Sequence, residues 1–220
     1  MLLRNFVVAL LLASFASACG NTPVPSISGP SDPPPSTPPP AAPVMAPPPS
    51  GVSPEVWRVA FLSGVALYRP ESPAIVSFDV SGLEAVDQAT FVNMAKVAED
   101  SVEGRTKFEV GTQSGANFIV SMVSSLVCFG QAALGCTVFR TDSSGRVLGG
   151  KIEFDSTRMT VIPFTLVLHE IYRTLGISEL SPAYGILSAH IWPNPRPSDE
   201  ERLMLLGRYQ FPLLAQYSVQ

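Results

Sequence analysis

The densest set of side chains that could bind a metal or move a proton lies between Leu168 and Glu179. His169 and Glu170 are adjacent there, and Arg173 follows one helical turn later. Residues four apart project from one face of a helix, so two imidazoles at this spacing can hold one Zn²⁺, with the intervening glutamate as general base on a bound water. A guanidinium has no lone pair to give a metal. The segment therefore has the spacing of a metal-binding helix but lacks one ligand.

The chain has only two histidines, and the second, His190, lies shortly after this segment. A carboxylate, Glu179, ends the segment three residues after the turn residue Gly176. Imidazole and carboxylate groups are both zinc ligands in proteins.

The run from Leu168 to Glu179 resembles the helix and turn of the metzincin zinc proteases, H-E-x-x-H-x-x-G-x-x-H or a carboxylate at the end. The first histidine, the glutamate, the Leu-Gly stop and the final carboxylate match, while Arg173 replaces the central histidine. Ser188–Pro193 stands where metzincins have their Met-turn, with Ile191 or His190 in the methionine's place. The helix opened by Pro197-Ser198-Asp199 resembles the closing helix of the matrix-protease-like members. The resemblance covers most of residues 70 to 212.

The resemblance implies two alternative functions. In the first, which the sequence favours, the domain is a pseudo-protease without a cofactor. Arg173 then pairs with Glu170 or Glu179 and replaces the lost metal charge, and the cleft binds a peptide, a glycan or an envelope protein. In the second, the domain is an active zinc metallopeptidase with a rebuilt site, in which His169, Glu179 and His190 are the ligands and Glu170 is the general base. Three protein ligands suffice for a catalytic zinc. A third interpretation remains open, in which His169 and Arg173 are a helical pair in an unrelated α/β domain.

The elements that would position these residues follow from hydrophobic periodicity and turn residues. Alternation predicts strands at 74–80, 107–110, 117–123, 137–140 and 147–154, the last two forming a hairpin. Helices are predicted from Ser53 to Tyr68, from Asp87 as N-cap to Gly104, from Ile162 to Leu175, and from Ser198, where Ser198 and Glu201 form a capping box. This order predicts an α/β (α+β) fold. The resemblance implies a zincin-like domain with a mixed, twisted sheet, an active-site-type helix and a C-terminal helix.

The N-terminus predicts export. Arg4 precedes the apolar run Phe6–Ala13, which is too short to span a bilayer. Residues 1–18 are therefore predicted to be a signal peptide. Ala16-Ser17-Ala18-Cys19 resembles the lipobox of bacterial lipoproteins, which implies an acylated Cys19 and anchoring in the cell envelope, with Gly20 resembling lipoproteins passed to an outer membrane. Residues 19–53 are rich in proline and predict a semi-rigid polyproline II tether, which leaves 54–220 as the globular domain.

Composition excludes one class of partner and favours one covalent bond. The net charge is −4, and no run of lysines or arginines could neutralise a row of phosphates, so nucleic acid is not an expected partner. Cys128 and Cys136 flank a glycine-containing loop in a chain predicted to be exported, which favours a disulfide between them. The alternative is a pair of buried thiols.

Overall fold

A five-stranded mixed sheet forms the centre of the domain in this computed structural model, which describes residues 47–59, 74–112, 114–141, 147–177, 182–188, 193–194, 196–207 and 209. The predicted signal peptide, Cys19, the tether up to residue 46, Glu179 and His190 lie outside the described residues. The sheet and its helices confirm the predicted α/β (α+β) class.

The elements follow the predicted order, with one small hairpin added. The strands are β1 Ala74–Gly82, β2 Thr106–Gly111, β3 Phe118–Val123, β4 Val127–Cys128, β5 Gln131–Ala132, β6 Gly135–Thr141 and β7 Val147–Asp155. The helices are α1 Pro54–Val59, α2 Ala85–Ser101, α3 Phe164–Thr174 and α4 Asp199–Gly207, and a 3₁₀ helix spans Pro182–Leu187.

The strand order of the large sheet is β2-β1-β3-β7-β6. Four strands are parallel, and β6 pairs antiparallel with β7 at one edge. The alternation predicted for β1 is present, because Val76, Phe78 and Val80 are all buried. Phe78 packs against three other rings, those of Phe91, Phe108 and Phe118. These contacts place the hydrophobic core between the sheet and the helices α2 and α3.

Helix α2 differs from the prediction at its start. It begins at Ala85 with Glu84 in the N-cap position, so Asp87 is not the cap. Asp87 is instead buried in the first turn, where its Oδ1 accepts the backbone N–H of Ile162 at 2.8 Å. This bond holds Ile162 outside α3. Pro163 occupies the N-cap position and has no backbone N–H that would need a partner there. The helix therefore begins at Phe164 rather than at Ile162.

Helix α2 ends at Ser101, before the predicted Gly104, and the predicted end of the first helix at Tyr68 lies outside the described residues. The end of α3 and the start of α4 agree with the predictions. Gly176 follows α3 with φ of +79°, a conformation that favours glycine and ends the helix. At α4 the capping box is present: Ser198 N–H donates to Glu201 Oε2 at 2.7 Å, and Glu201 N–H donates to Ser198 Oγ at 3.3 Å.

The described N-terminal residues pack against α4. Trp57 of α1 is fully buried, and a Cβ at Gly207 would lie 2.3 Å from its ring, so only glycine permits this contact. Val52 is also buried in the core, although the sequence places it within the tether. Packing therefore begins slightly before residue 54.

The predicted disulfide is present and closes the added hairpin. Cys128 at the end of β4 is bonded to Cys136 in β6. The base of the hairpin is fixed by Asp155, whose Oδ2 accepts the backbone N–H of Leu126 at 3.2 Å. Its Oδ1 accepts the backbone N–H and the hydroxyl of Thr157, and Arg158 Nε lies 3.3 Å from Oδ2. The hydroxyl of Thr157, together with these other donors, lowers the pKa of the Asp155 carboxyl.

Replacing Asp155 with Asn should destabilise the fold in a pH-dependent way. Because its pKa is lower in the folded state, the carboxylate contributes stability above the unfolded value of about 3.9, and this contribution is lost as the pH falls through the folded pKa. We expect Asp155→Asn to unfold at lower urea concentration than the wild type at pH 7, with the gap narrowing toward pH 3. Asp100→Asn, at an exposed position of α2, is the control. A gap that is independent of pH would contradict this assignment.

Candidate functional site

Helix α3 is buried on all sides, which constrains every polar side chain that it carries. All residues from Thr165 to Thr174 are buried. Three of them end in groups that ordinarily need water: His169 is 8% exposed, Glu170 3% and Arg173 8%. A buried polar group without a hydrogen-bond partner is costly, so the partners of these three side chains define the site.

His169 is held through one ring nitrogen. Its Nδ1 lies 2.6 Å from the carbonyl oxygen of Ile186 in the 3₁₀ helix. A carbonyl oxygen can only accept, so Nδ1 carries the hydrogen, and in the neutral ring Nε2 has the free lone pair. The ring is therefore oriented with one nitrogen available to a ligand.

The 3₁₀ helix that contacts His169 is itself held by α4. Leu187 N–H donates to Glu201 Oε1 at 2.8 Å, and Ser198 N–H donates to the other carboxylate oxygen. Glu201 is 1% exposed. One buried carboxylate thus connects the start of α4 to the residue that follows Ile186.

Glu170 faces the edge strand β6. Thr137 Oγ1 donates to its Oε2 at 2.6 Å, and a Cβ at Gly135 would lie 2.6 Å from its Oε1. The absence of a side chain at Gly135 gives the carboxylate room beneath the strand. Both oxygens of Glu170 are therefore positioned by β6.

Arg173 is bonded to the chain that follows its own helix. Its Nη1 donates to the carbonyl oxygen of Ile177 at 3.2 Å. Arg173 was predicted to pair with Glu170 or with Glu179. Within the described part of the chain no ion pair joins Arg173 to Glu170, so the first of these two pairings is not formed. The physical reason is that Thr137 holds the Glu170 carboxylate against β6. Pairing with Glu179 stays a prediction, because Glu179 lies outside the described residues.

Tyr172 belongs to the core rather than to a reaction site. It is fully buried, and its hydroxyl donates to Ser101 Oγ of α2 at 2.9 Å. Burial raises the pKa of the phenol above its ordinary value of about 10. The side chain therefore stays neutral and ties α3 to α2.

The described donors do not fit a zinc ion. Of the three predicted ligands only His169 is described, and no group of three or more His, Cys, Asp or Glu that could hold a metal is present within the described ranges. Arg173 brings a positive charge and no lone pair to the position of a second imidazole. Within the described residues, His169 Nε2 is the one imidazole nitrogen available to a ligand at the site, beside the Glu170 carboxylate.

Among the described residues, a strand edge without a partner borders the site. No described strand pairs with the outer side of β6. The carbonyl oxygen of Leu134 accepts the backbone N–H of Asp155. In this register, the next residues of β6 whose backbone groups face β7 are Cys136 and Val138. Because hydrogen-bonded pairs alternate in antiparallel strands, the N–H and C=O groups of Gly135, Thr137 and Phe139 point outward. An extended peptide could pair with these groups directly above Glu170.

Comparisons with family models and with curated proteins add nothing to the geometry of the site. No family model matches the chain, and no curated protein matches it. Among the described residues no helix is long and apolar enough to cross a membrane. The site must therefore be interpreted from its own geometry.

Several residues of the site were not found from the sequence. Thr137 and Gly135 carry no motif, and their approach to Glu170 depends on the pairing of β6 at the sheet edge. Glu201 was found only as part of a capping box, whose pattern contains no signal for its second bond, to Leu187. Only the alternation of β6 could have indicated which of its residues face α3.

Replacing Glu201 with Ala should loosen His169 as well as α4. The change leaves the backbone N–H groups of Leu187 and Ser198 without their acceptor, which should cost about 2–4 kcal/mol in the free energy of unfolding. In ¹⁵N NMR spectra of the folded variant, we expect the His169 ring to lose its single Nδ1–H tautomer, because Ile186 is no longer fixed. Glu200→Ala, one residue earlier on α4, should change neither property. A stability loss with an unchanged His169 tautomer would limit Glu201 to helix capping.

Proposed function

We propose that this chain is a lipid-anchored protein of the bacterial cell envelope whose domain is a catalytically degenerate, metzincin-like module that binds an extended peptide. One observation carries the proposal of degeneracy: the buried guanidinium of Arg173 lies one helical turn after His169. The mixed sheet and the buried helix with the His-Glu pair support the resemblance.

The charge at Arg173 opposes zinc in two ways. The guanidinium stays protonated in proteins and so cannot become a ligand. It also places a positive charge near the position that a dication would occupy, in surroundings with little water to screen it. In the proposed degenerate site, the charge of Arg173 takes the place of the charge of the lost metal.

A peptide is the ligand class that the site's surroundings favour. The outward N–H and C=O groups of β6 offer a ladder of hydrogen bonds to an added strand, which is a recurring mode of peptide recognition. This ladder lies directly beside the Glu170 carboxylate. A glycan would not match the regular spacing of strand donors and acceptors.

Restoring the missing imidazole tests the degeneracy. Arg173→His would place a second imidazole four residues after His169, and with Glu179 it would complete three ligands. We expect one zinc per chain in the purified mature chain carrying Cys19→Ser and Arg173→His, and none in the same chain with Arg173 intact. Arg173→Gln, which removes the charge without adding a ligand, should also bind none.

Two outcomes would overturn this interpretation. One zinc per chain with Arg173 intact would favour the active peptidase, with His169, Glu179 and His190 as ligands and Glu170 as base. A folded Arg173→His variant without zinc would mean that the histidine and glutamate of α3 are not the remains of a metal site.

The anchoring rests on the lipobox resemblance at Ala16-Ser17-Ala18-Cys19. We expect Cys19→Ser to release the protein into the soluble fraction or to leave the precursor uncleaved, because no thiol remains to accept a lipid. Ser17→Ala, which keeps a small residue in the lipobox, should stay in the membrane fraction. Identical fractionation of Cys19→Ser and the wild type, with both chains cleaved to the same length, would refute the lipid anchor.

A further inference from the structure

The hairpin β4–β5 exposes apolar side chains at its tip. Phe129 is 82% exposed and Val127 64% exposed. Phe129 and Gly130 form the two-residue connection between paired strands, and both have positive φ, of +49° and +82°. Positive φ at both central residues is the pattern of a type I′ turn, in which Asn, Asp or Gly is preferred. A phenylalanine at the first position is therefore strained and gains no burial within the described fold.

The tip and its surroundings in the sequence carry no charge. No residue between Glu109 and Arg140 is charged, and the exposed residues of the hairpin are either apolar or polar without a charge. The exposed polar residues next to the tip, Ser124, Ser125 and Gln131, are uncharged. A lipid interface requires only apolar side chains and tolerates neutral polar ones.

The hairpin is braced so that the tip stays exposed. The disulfide between Cys128 and Cys136 fixes one strand to β6, and Asp155 accepts the N–H of Leu126 at its base. Ala133 N–H also donates to Leu126 O at 3.2 Å. These bonds prevent Phe129 from folding back against the sheet.

We propose that the β4–β5 hairpin inserts Phe129 and Val127 into the headgroup region of the membrane to which the chain is anchored. The proposal rests on the lipid anchor of the proposed function and is independent of the peptide site. From Cys19 to residue 47, where the described chain begins, the predicted tether has a reach of up to roughly 90 Å at about 3.1 Å per residue. That length allows the domain to turn its hairpin back to the bilayer. Two side chains alone bind weakly, but tethering raises their effective concentration at the surface.

Fluorescence quenching by brominated lipids tests the insertion. Since Cys128 and Cys136 are bonded to each other, the thiol of Cys19 can be coupled selectively to a maleimide lipid in the mature chain. The coupled chain is placed in vesicles of phosphatidylethanolamine and phosphatidylglycerol that contain brominated phospholipid. Phe129→Trp should be quenched beyond the wild-type background and its emission should shift to the blue. Ile119→Trp, at a 59% exposed apolar residue of β3, should not exceed the background.

Three results would overturn the proposal. Quenching of Phe129→Trp at the wild-type level means that the tip does not reach lipid, and equal quenching of Ile119→Trp means that contact is unspecific. If Phe129→Ser instead changes the sedimentation of the soluble Cys19→Ser chain, the tip is an interface between copies. The chemical coupling separates this test from native acylation, so its failure leaves the lipid anchor standing. Failure of the fractionation experiment removes the anchor itself.

Discussion

The burial of α3 is the constraint on which the rest of the site depends. A helix enclosed on all sides that carries a histidine, a glutamate and an arginine must give each of them a partner, because water cannot. The partners come from three different parts of the chain: Ile186 in the 3₁₀ helix, Thr137 in β6 and Ile177 after the helix. The polar groups of one helix thus fix the positions of the edge strand and of the segment that follows the helix.

If the site is a degenerate metal site, as proposed, this network accounts for the way it is held without an ion. In a zinc enzyme the ion itself draws ligands from separate elements together. Here β6 holds Glu170 through Thr137, and α4 holds the contact of His169 through Glu201. Each of these bonds is made by protein groups alone, so the described contacts of His169 and Glu170 do not require a dication.

Local patterns in the sequence were sufficient for most elements and insufficient for the site. Alternation located β1 and β3, a capping box located α4, and Gly176 marked the end of α3, because each signal lies within a few residues of the feature that it predicts. Asp87 was misassigned as a cap because its partner, Ile162, is 75 residues away. Thr137 and Glu170 are 33 residues apart, and their contact depends on which strand pairs with β7. Such distant pairings have no local signature, whereas the disulfide was predictable because cysteines are few.

Two positions break the local rules of their own elements, and they do so for opposite physical reasons. Arg173 is a buried charge in a helix, which costs free energy unless it is hydrogen-bonded. Phe129 is an exposed aromatic residue in a turn conformation that favours asparagine or glycine. Neither improves the packing of the described fold, and each is surrounded by bonds that hold it in place. Residues that are unfavourable for their local structure, and that surrounding bonds hold in place, are characteristic of functional positions. The two positions are therefore the ones on which the proposed peptide site beside β6 and the proposed membrane contact at the β4–β5 tip depend.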